Sequence, residues 1–126
     1  MSEYKRAGFP AVMPYLTVQG ADELLTFLKN VFQGEEIECH REENGRVAHA
    51  SVRIGDSTIE LSEATEQWGS SPGALHIYVP NCDETYAAAI GAGAESIYEV
   101  ADMEYGERSG GVKDASGNKW YIATTL

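Results

Sequence analysis

The chain matches itself at one constant step. Val18 and Val79 stand 61 residues apart, as do the "ADE" at 21–23 and the "CDE" at 82–84, and Glu60 and Tyr121. A step that persists from the first strand-like segment of one half to the last of the other points to two copies of one supersecondary unit, neither able to bury its apolar face alone. In the first copy the spacing predicts a strand over 12–18, then a helix over about 21–32 with Leu24, Leu25, Leu28, Val31 and Phe32 on one face. Gly34 is expected to close that helix. Strands follow over 36–42, 46–54 and 57–63, joined by the dipeptides Asn44-Gly45 and Gly55-Asp56, which suit two-residue hairpin turns. A loop over 64–73 carries Trp68. The second copy gives a strand over 74–79, a helix over about 82–92 capped by Asn81, and strands over about 95–100, 107–113 and 118–124. The fold class is therefore α+β. Two βαβββ repeats, about 11–64 and about 73–126, form a curved, largely antiparallel sheet or open barrel around a cup, with helices outside, in one domain over 1–126.

Tight turns fix register, and residues that pair across strands share a face. Around Gly55-Asp56, Arg53 is expected opposite Thr58 and Ser51 opposite Glu60. Around Asn44-Gly45, His40 is expected opposite His49 and Glu38 opposite Ser51. One face of the first half then carries Glu38, His40, His49, Ser51, Arg53, Thr58, Glu60 and Ser62. The other carries Ile37, Cys39, Ala48, Ala50, Val52, Ile54, Ile59 and Leu61. In the second half Leu75, Ile77, Val79, Trp120 and Ile122 face the helix, while His76, Tyr78 and Tyr121 face away. A solvated face is the ordinary state of an antiparallel sheet. This one holds all three histidines of the chain and tyrosines 15, 78 and 121, which favours two polar faces turned toward a shared small-molecule cup.

The net charge of −11 disfavours a nucleic-acid partner, which needs clustered Lys and Arg. No apolar run approaches the ~20 residues of a membrane span, and "MSEYKRAGFPAVMPYL" lacks the apolar core and cleavage site of a signal peptide. Cys39 and Cys82 are accordingly expected as reduced thiols in a cytoplasmic protein.

Four stretches, "VMPYLTVQGADELLTFLKNVF", "HASVRIGDSTIELSE", "LHIYVPNCDETYAAAIGAGA" and "VKDASGNKWYIAT", give the chain a resemblance to the vicinal oxygen chelate superfamily. That superfamily groups glyoxalase I, bleomycin-resistance proteins and extradiol dioxygenases. The closest flavour is the short subgroup often named for a phosphonate-operon protein. The ending with Asp114, Gly117, Asn118 and Trp120 is similar to the family's Asp-x-x-Gly-Asn/His-x-Trp motif. The resemblance implies a homodimer, to which exposed edge strands and the Trp68 loop also point. It implies too that metal-binding members take ligands at positions occupied here by Met13, Glu60, Ala74 and Tyr121. Of these only Glu60 is a usual ligand for a divalent ion.

Two functions stand ahead of a third, a structural or interaction role with an empty cup, which has the least support. The first is a small-molecule-binding protein of the glyoxalase/bleomycin-resistance type without the standard metal site, its ligand held by Glu60, His76, His49, Tyr15, Tyr78, Tyr121 and Trp68. The second is a lyase, isomerase or dioxygenase. It would use Glu60 and His76 in acid–base work, or a divalent metal displaced toward His76, Glu60 and His49. No residue is assigned as catalytic and no metal ligand is assigned. Each residue also has a structural reading: a hydrogen-bonded core histidine, a solvated His40, tyrosines packed between the halves, or a Trp68 lid or dimer contact.

Overall fold

Each half of the computed structural model, which describes residues 4–126, runs β-α-β-β-β. The first half comprises β1 (Tyr15–Val18), α1 (Ala21–Phe32), β2 (Glu35–Arg41), β3 (Val47–Ile54) and β4 (Ser57–Glu63). The second comprises β5 (Ala74–Tyr78), α2 (Cys82–Gly91), β6 (Glu95–Asp102), β7 (Glu107–Lys113) and β8 (Lys119–Thr125). The strands form two four-stranded sheets, in the orders β1-β4-β3-β2 and β5-β8-β7-β6, and neither closes into a barrel. In each, the first strand pairs in parallel with the last and the other pairings are antiparallel. The register repeats with the sequence: Tyr15 lies opposite Glu60, and His76 opposite Tyr121.

The apolar stripe of α1 explains why the sheets are one-sided. Leu24, Leu25, Leu28, Val31 and Phe32 are buried against Leu16, Val18, Val52, Ile59 and Leu61 in a contiguous core that also takes in Val112, Trp120 and Ile122. Each fully buried leucine of that stripe contributes about 1.5–3 kcal/mol of transfer free energy. The Phe32 and Trp120 rings, 4.7 Å apart, carry the core across the two halves. The start of α1 is capped from outside: the Glu63 carboxylate accepts from the Gly20 and Ala21 amides at 3.1 and 2.8 Å, where the helix dipole favours a negative charge. At the other end Gln33, not Gly34, takes the left-handed conformation, with φ 59°. Gly34 is required for a different reason. A Cβ there would sit 2.8 Å from Val52 Cγ1 and 2.9 Å from the Leu28 carbonyl. Asn81 caps α2 as expected, accepting from the Glu84 amide at 3.2 Å.

Two further expectations need correction. β1 starts at Tyr15 rather than residue 12. The Pro14 carbonyl still accepts from the Glu60 amide at 2.9 Å, but proline has no N–H with which to extend the ladder. The β2–β3 connection is also one residue longer than a two-residue turn. Glu42 and Arg46 close it, the Gly45 amide donates to the Glu42 carbonyl, and Gly45 has φ 88°, the three-residue hairpin with a left-handed glycine. Unaided, that loop would shift every pair by one. A bulge restores them: Arg41 pairs with Val47 but His40 with His49, leaving Ala48 unpaired. Val47 therefore enters the core in place of Ala48. A second bulge leaves Ile37 unpaired and turns Glu36 toward α1, where it meets Lys29 at 3.0 Å. Between and beyond the bulges the expected pairs hold: Glu38–Ser51, Ser51–Glu60 and Arg53–Thr58.

Candidate functional site

On the polar face of the first sheet the register lines up Glu38, Ser51, Glu60 and Tyr15 across four strands. One step along, His40 and His49 form a cross-strand pair, their rings 6.2 Å apart and tilted by 26°. Glu60 Oε2 lies 3.0 Å from His49 Nε2, and Glu38 Oε2 lies 3.3 Å from His40 Nε2. Part of this face is covered by the chain's own N-terminal segment. Arg6 donates to Glu38 Oε1 at 2.6 Å and stacks over the Phe9 ring, while Phe9 is buried outside the main core. The Arg6 hydrogen bond, foremost, holds the Glu38 carboxyl below its usual range.

The second sheet has a parallel arrangement with different chemistry. His76, Tyr121, Gly111 and Tyr98 lie in one row across β5, β8, β7 and β6. Because Gly111 has no side chain, the Tyr98 ring reaches over it and stacks with Tyr121, centroids 6.4 Å apart and planes within 17°. Tyr98 also hydrogen-bonds the Ser109 hydroxyl at 2.8 Å. Above the row, Glu107 on β7 spans to β5. Its carboxylate accepts from His76 Nε2 and from the Tyr78 hydroxyl, each at 2.9 Å. An ionised carboxylate only accepts, so the His76 Nε2 carries the proton. The His76 hydrogen bond is the larger cause, and that of Tyr78 a further one, holding the Glu107 carboxyl below its usual range. The same contact raises the Tyr78 phenol. His76, Tyr98, Met103, Glu107, Ser109 and Tyr121 line an open hollow of about 690 Å³.

The structure thus divides the expected residues between the two sheets. His76, Tyr78 and Tyr121 cluster around Glu107. Glu60 and His49 pair on the first sheet, with Tyr15 beside them, its ring 5.9 Å from that of His49. Trp68 is 67% exposed and borders a hollow of about 470 Å³ with Tyr15, Thr17 and Ser62. Glu60 lines neither that hollow nor the one at His76. A further hollow of about 560 Å³, lined by His76, Tyr78, Thr58 and Phe32, lies at the free edge of β5. Sequence reading missed Glu107 and Tyr98. The alternation Glu107, Ser109, Gly111 was a usable signal for the first. Tyr98 is reached only through the bulged pairing of β6 with β7.

The positions at which the resemblance implies metal ligands do not fit a divalent ion. Ala74 has no donor atom, the Tyr121 ring is stacked on Tyr98, and Met13 offers a thioether poorly suited to such an ion. Glu60 alone is a usual ligand, and it is engaged by His49. The terminal motif has a different, structural use. The buried Asp114 carboxylate accepts from the amides of Ser116 and Asn118, from the Asn118 side chain and from Trp120 Nε1.

Comparison with known proteins accords with this geometry. The chain is 28% identical over 124 residues to an uncharacterized protein of Mycobacterium bovis, Mb0911c, covering 90% of this chain and 82% of that one. Its fold resembles that of TioX from Micromonospora sp. ML1, with a TM-score of 0.77 at 21% identity, covering 93% of this chain and all of the other. It also resembles the PhnB protein from Bacillus cereus, with a TM-score of 0.72 at 15% identity, covering 92% and 100%. The sequence model of one superfamily matches residues 8–122, and the chain accordingly belongs to the Glyoxalase/Bleomycin resistance protein/Dioxygenase superfamily.

Proposed function

We propose that the protein binds a small molecule in the hollow over the second sheet, without the superfamily's four-ligand metal site. The observation that carries this reading is Glu107. Its carboxylate is only 10% exposed, is held by His76 and Tyr78, and borders the 690 Å³ hollow beside the Tyr98–Tyr121 stack. A space of that size suits a drug-sized ligand. The stacked rings favour a flat or cationic group, and the carboxylate a donor or positive charge. His76, Tyr78 and Tyr121 are the contact residues there. Glu60, His49, Tyr15 and Trp68 form a second, separate wall on the first sheet. The test is a thermal-shift comparison of planar aromatic amines with the matching carboxylic acids, on the wild type and Glu107→Gln. The amines should raise the wild-type melting point; a ligand at a hundred times its Kd adds about 2.7 kcal/mol. Failure of both series, or an unchanged response in Glu107→Gln, overturns the reading.

The His76–Glu107 pair, an imidazole and a carboxylate in hydrogen-bond contact, also favours a second reading: acid–base catalysis as a lyase or isomerase. Turnover of a bound compound, abolished in Glu107→Gln, would replace the first reading with this one. The proposal extends to a homodimer in the cytoplasm. The dimer is supported by the free edge of β5 and by the exposed Val12, Trp68 and Tyr78. Light scattering on the purified chain measures its mass directly, and a monomer at micromolar concentration would remove the dimer.

A further inference from the structure

We infer that Glu38, His40 and His49 form a binding site for a divalent transition-metal ion such as zinc on the polar face of the first sheet, away from the four positions the resemblance implies. One ligand atom from each lies within 4.8 Å of the other two. The closest measured pair, His40 Nε2 and Glu38 Oε2 at 3.3 Å, is already near the ~3.4 Å edge of a tetrahedron with ~2.1 Å bonds about zinc. Two imidazoles and a carboxylate suit zinc, nickel, copper or ferrous iron; magnesium and calcium prefer oxygen alone.

The surroundings are those of a prepared site. His40 and His49 are direct cross-strand partners, so the sheet sets their separation. Glu60 hydrogen-bonds His49, and a carboxylate on a ligating histidine fixes its tautomer and ring orientation. Ser51 lies between Glu38 and Glu60 in the register and is fully buried. Its Oγ is the one buried side-chain polar atom without a partner among the described residues. Such an orphan calls for an explanation, and a water carried by the bound ion would satisfy it. Arg6 occupies Glu38 Oε1 in the meantime. Its side chain is 57% exposed, on a segment outside the sheet, so it can leave when a stronger cation arrives. This inference goes beyond the proposed function and concerns the other sheet.

The test is calorimetric titration of zinc chloride into the full chain, made without a histidine tag and stripped of metal. One ion should bind per chain. His40→Ala and His49→Ala should each weaken binding about tenfold or more, at least as much as loss of an outer-shell partner does. Arg6→Ala should tighten binding by freeing Glu38. His40 is 66% exposed on the sheet edge, so its replacement should leave the urea midpoint unchanged. No uptake by the wild type, or equal affinity in His40→Ala, overturns the inference. So does loss of binding on His76→Ala alone. None of these outcomes touches the small-molecule reading, whose test reads Glu107.

Discussion

Replacing Asp114 by alanine should be among the most damaging single changes available to this chain. The carboxylate is 5% exposed and accepts from Ser116 N at 2.9 Å, Asn118 N at 3.0 Å, Asn118 Nδ2 at 3.1 Å and Trp120 Nε1 at 2.8 Å. A hydrogen bond to an ionised group contributes about 1.5–3 kcal/mol net, and a buried donor left without a partner costs about 1–3 kcal/mol. The four contributions do not add, because they share one acceptor group and one relaxation. The three donors with no route to water are the Asn118 backbone N–H, the Asn118 side-chain amide and the Trp120 indole, on residues that are about fully buried. Stranding them, with partial relaxation, gives an expected loss of about 4 kcal/mol, at the upper end for point substitutions. At roughly 4 °C per kcal/mol for a domain of this size, the melting point should fall by about 15 °C. Equilibrium urea unfolding followed by tryptophan fluorescence measures the loss directly. Asp114→Asn keeps the shape but turns an amide toward N–H donors, and should lose about 3 kcal/mol. A loss below about 1.5 kcal/mol in the alanine variant would show that the donors find other partners, refuting the network argument.

Two further outcomes follow from the second sheet. A Cβ on Gly111 would lie 2.7 Å from Tyr98 Cδ1, so Gly111→Ala should cost about 1–3 kcal/mol by overpacking and displace the tyrosine stack. The urea midpoint and the near-ultraviolet dichroism of the tyrosines report both effects, and curves overlying the wild type would show that the ring swings aside freely. The Glu107 carboxyl titrates below its ordinary value of 4.5 in the folded chain, so the native state binds fewer protons there than the unfolded state. Its stabilising contribution is complete above that value and is lost as the pH falls through the lower, folded one. The stability gap between the wild type and Glu107→Gln should therefore narrow as the pH falls below about 5. A gap that holds or grows below that pH would contradict the assignment.

Local chemistry was legible in the sequence wherever it alone decides the structure. Gly55 and Asp56 make a true two-residue turn, so the pairs Arg53–Thr58 and Ser51–Glu60 could be counted outward from it. The apolar spacing of α1 and the Asn81 cap are likewise short-range features. Reading failed where two irregularities act together or where a partner comes from far along the chain. The hairpin at Asn44 has an added residue and a bulge, and counting from a two-residue turn gave the right histidine pair while misplacing Ala48. Glu107 reaches His76 across 31 positions and an intervening strand, a contact that no window of sequence contains. Arg6 and Phe9 lie in a segment with neither helical nor strand periodicity, and nothing local indicates that Arg6 reaches Glu38 on the sheet.

The paired irregularities beside His40 and His49 make the alignment of two imidazoles depend on chain length as well as on residue identity. Deleting one residue from Glu43–Gly45 while the Ala48 kink persists would carry one histidine to the opposite side of the pleat. A relative could thus lose or acquire the facing pair through a single insertion or deletion, with every side chain in both strands left as it was.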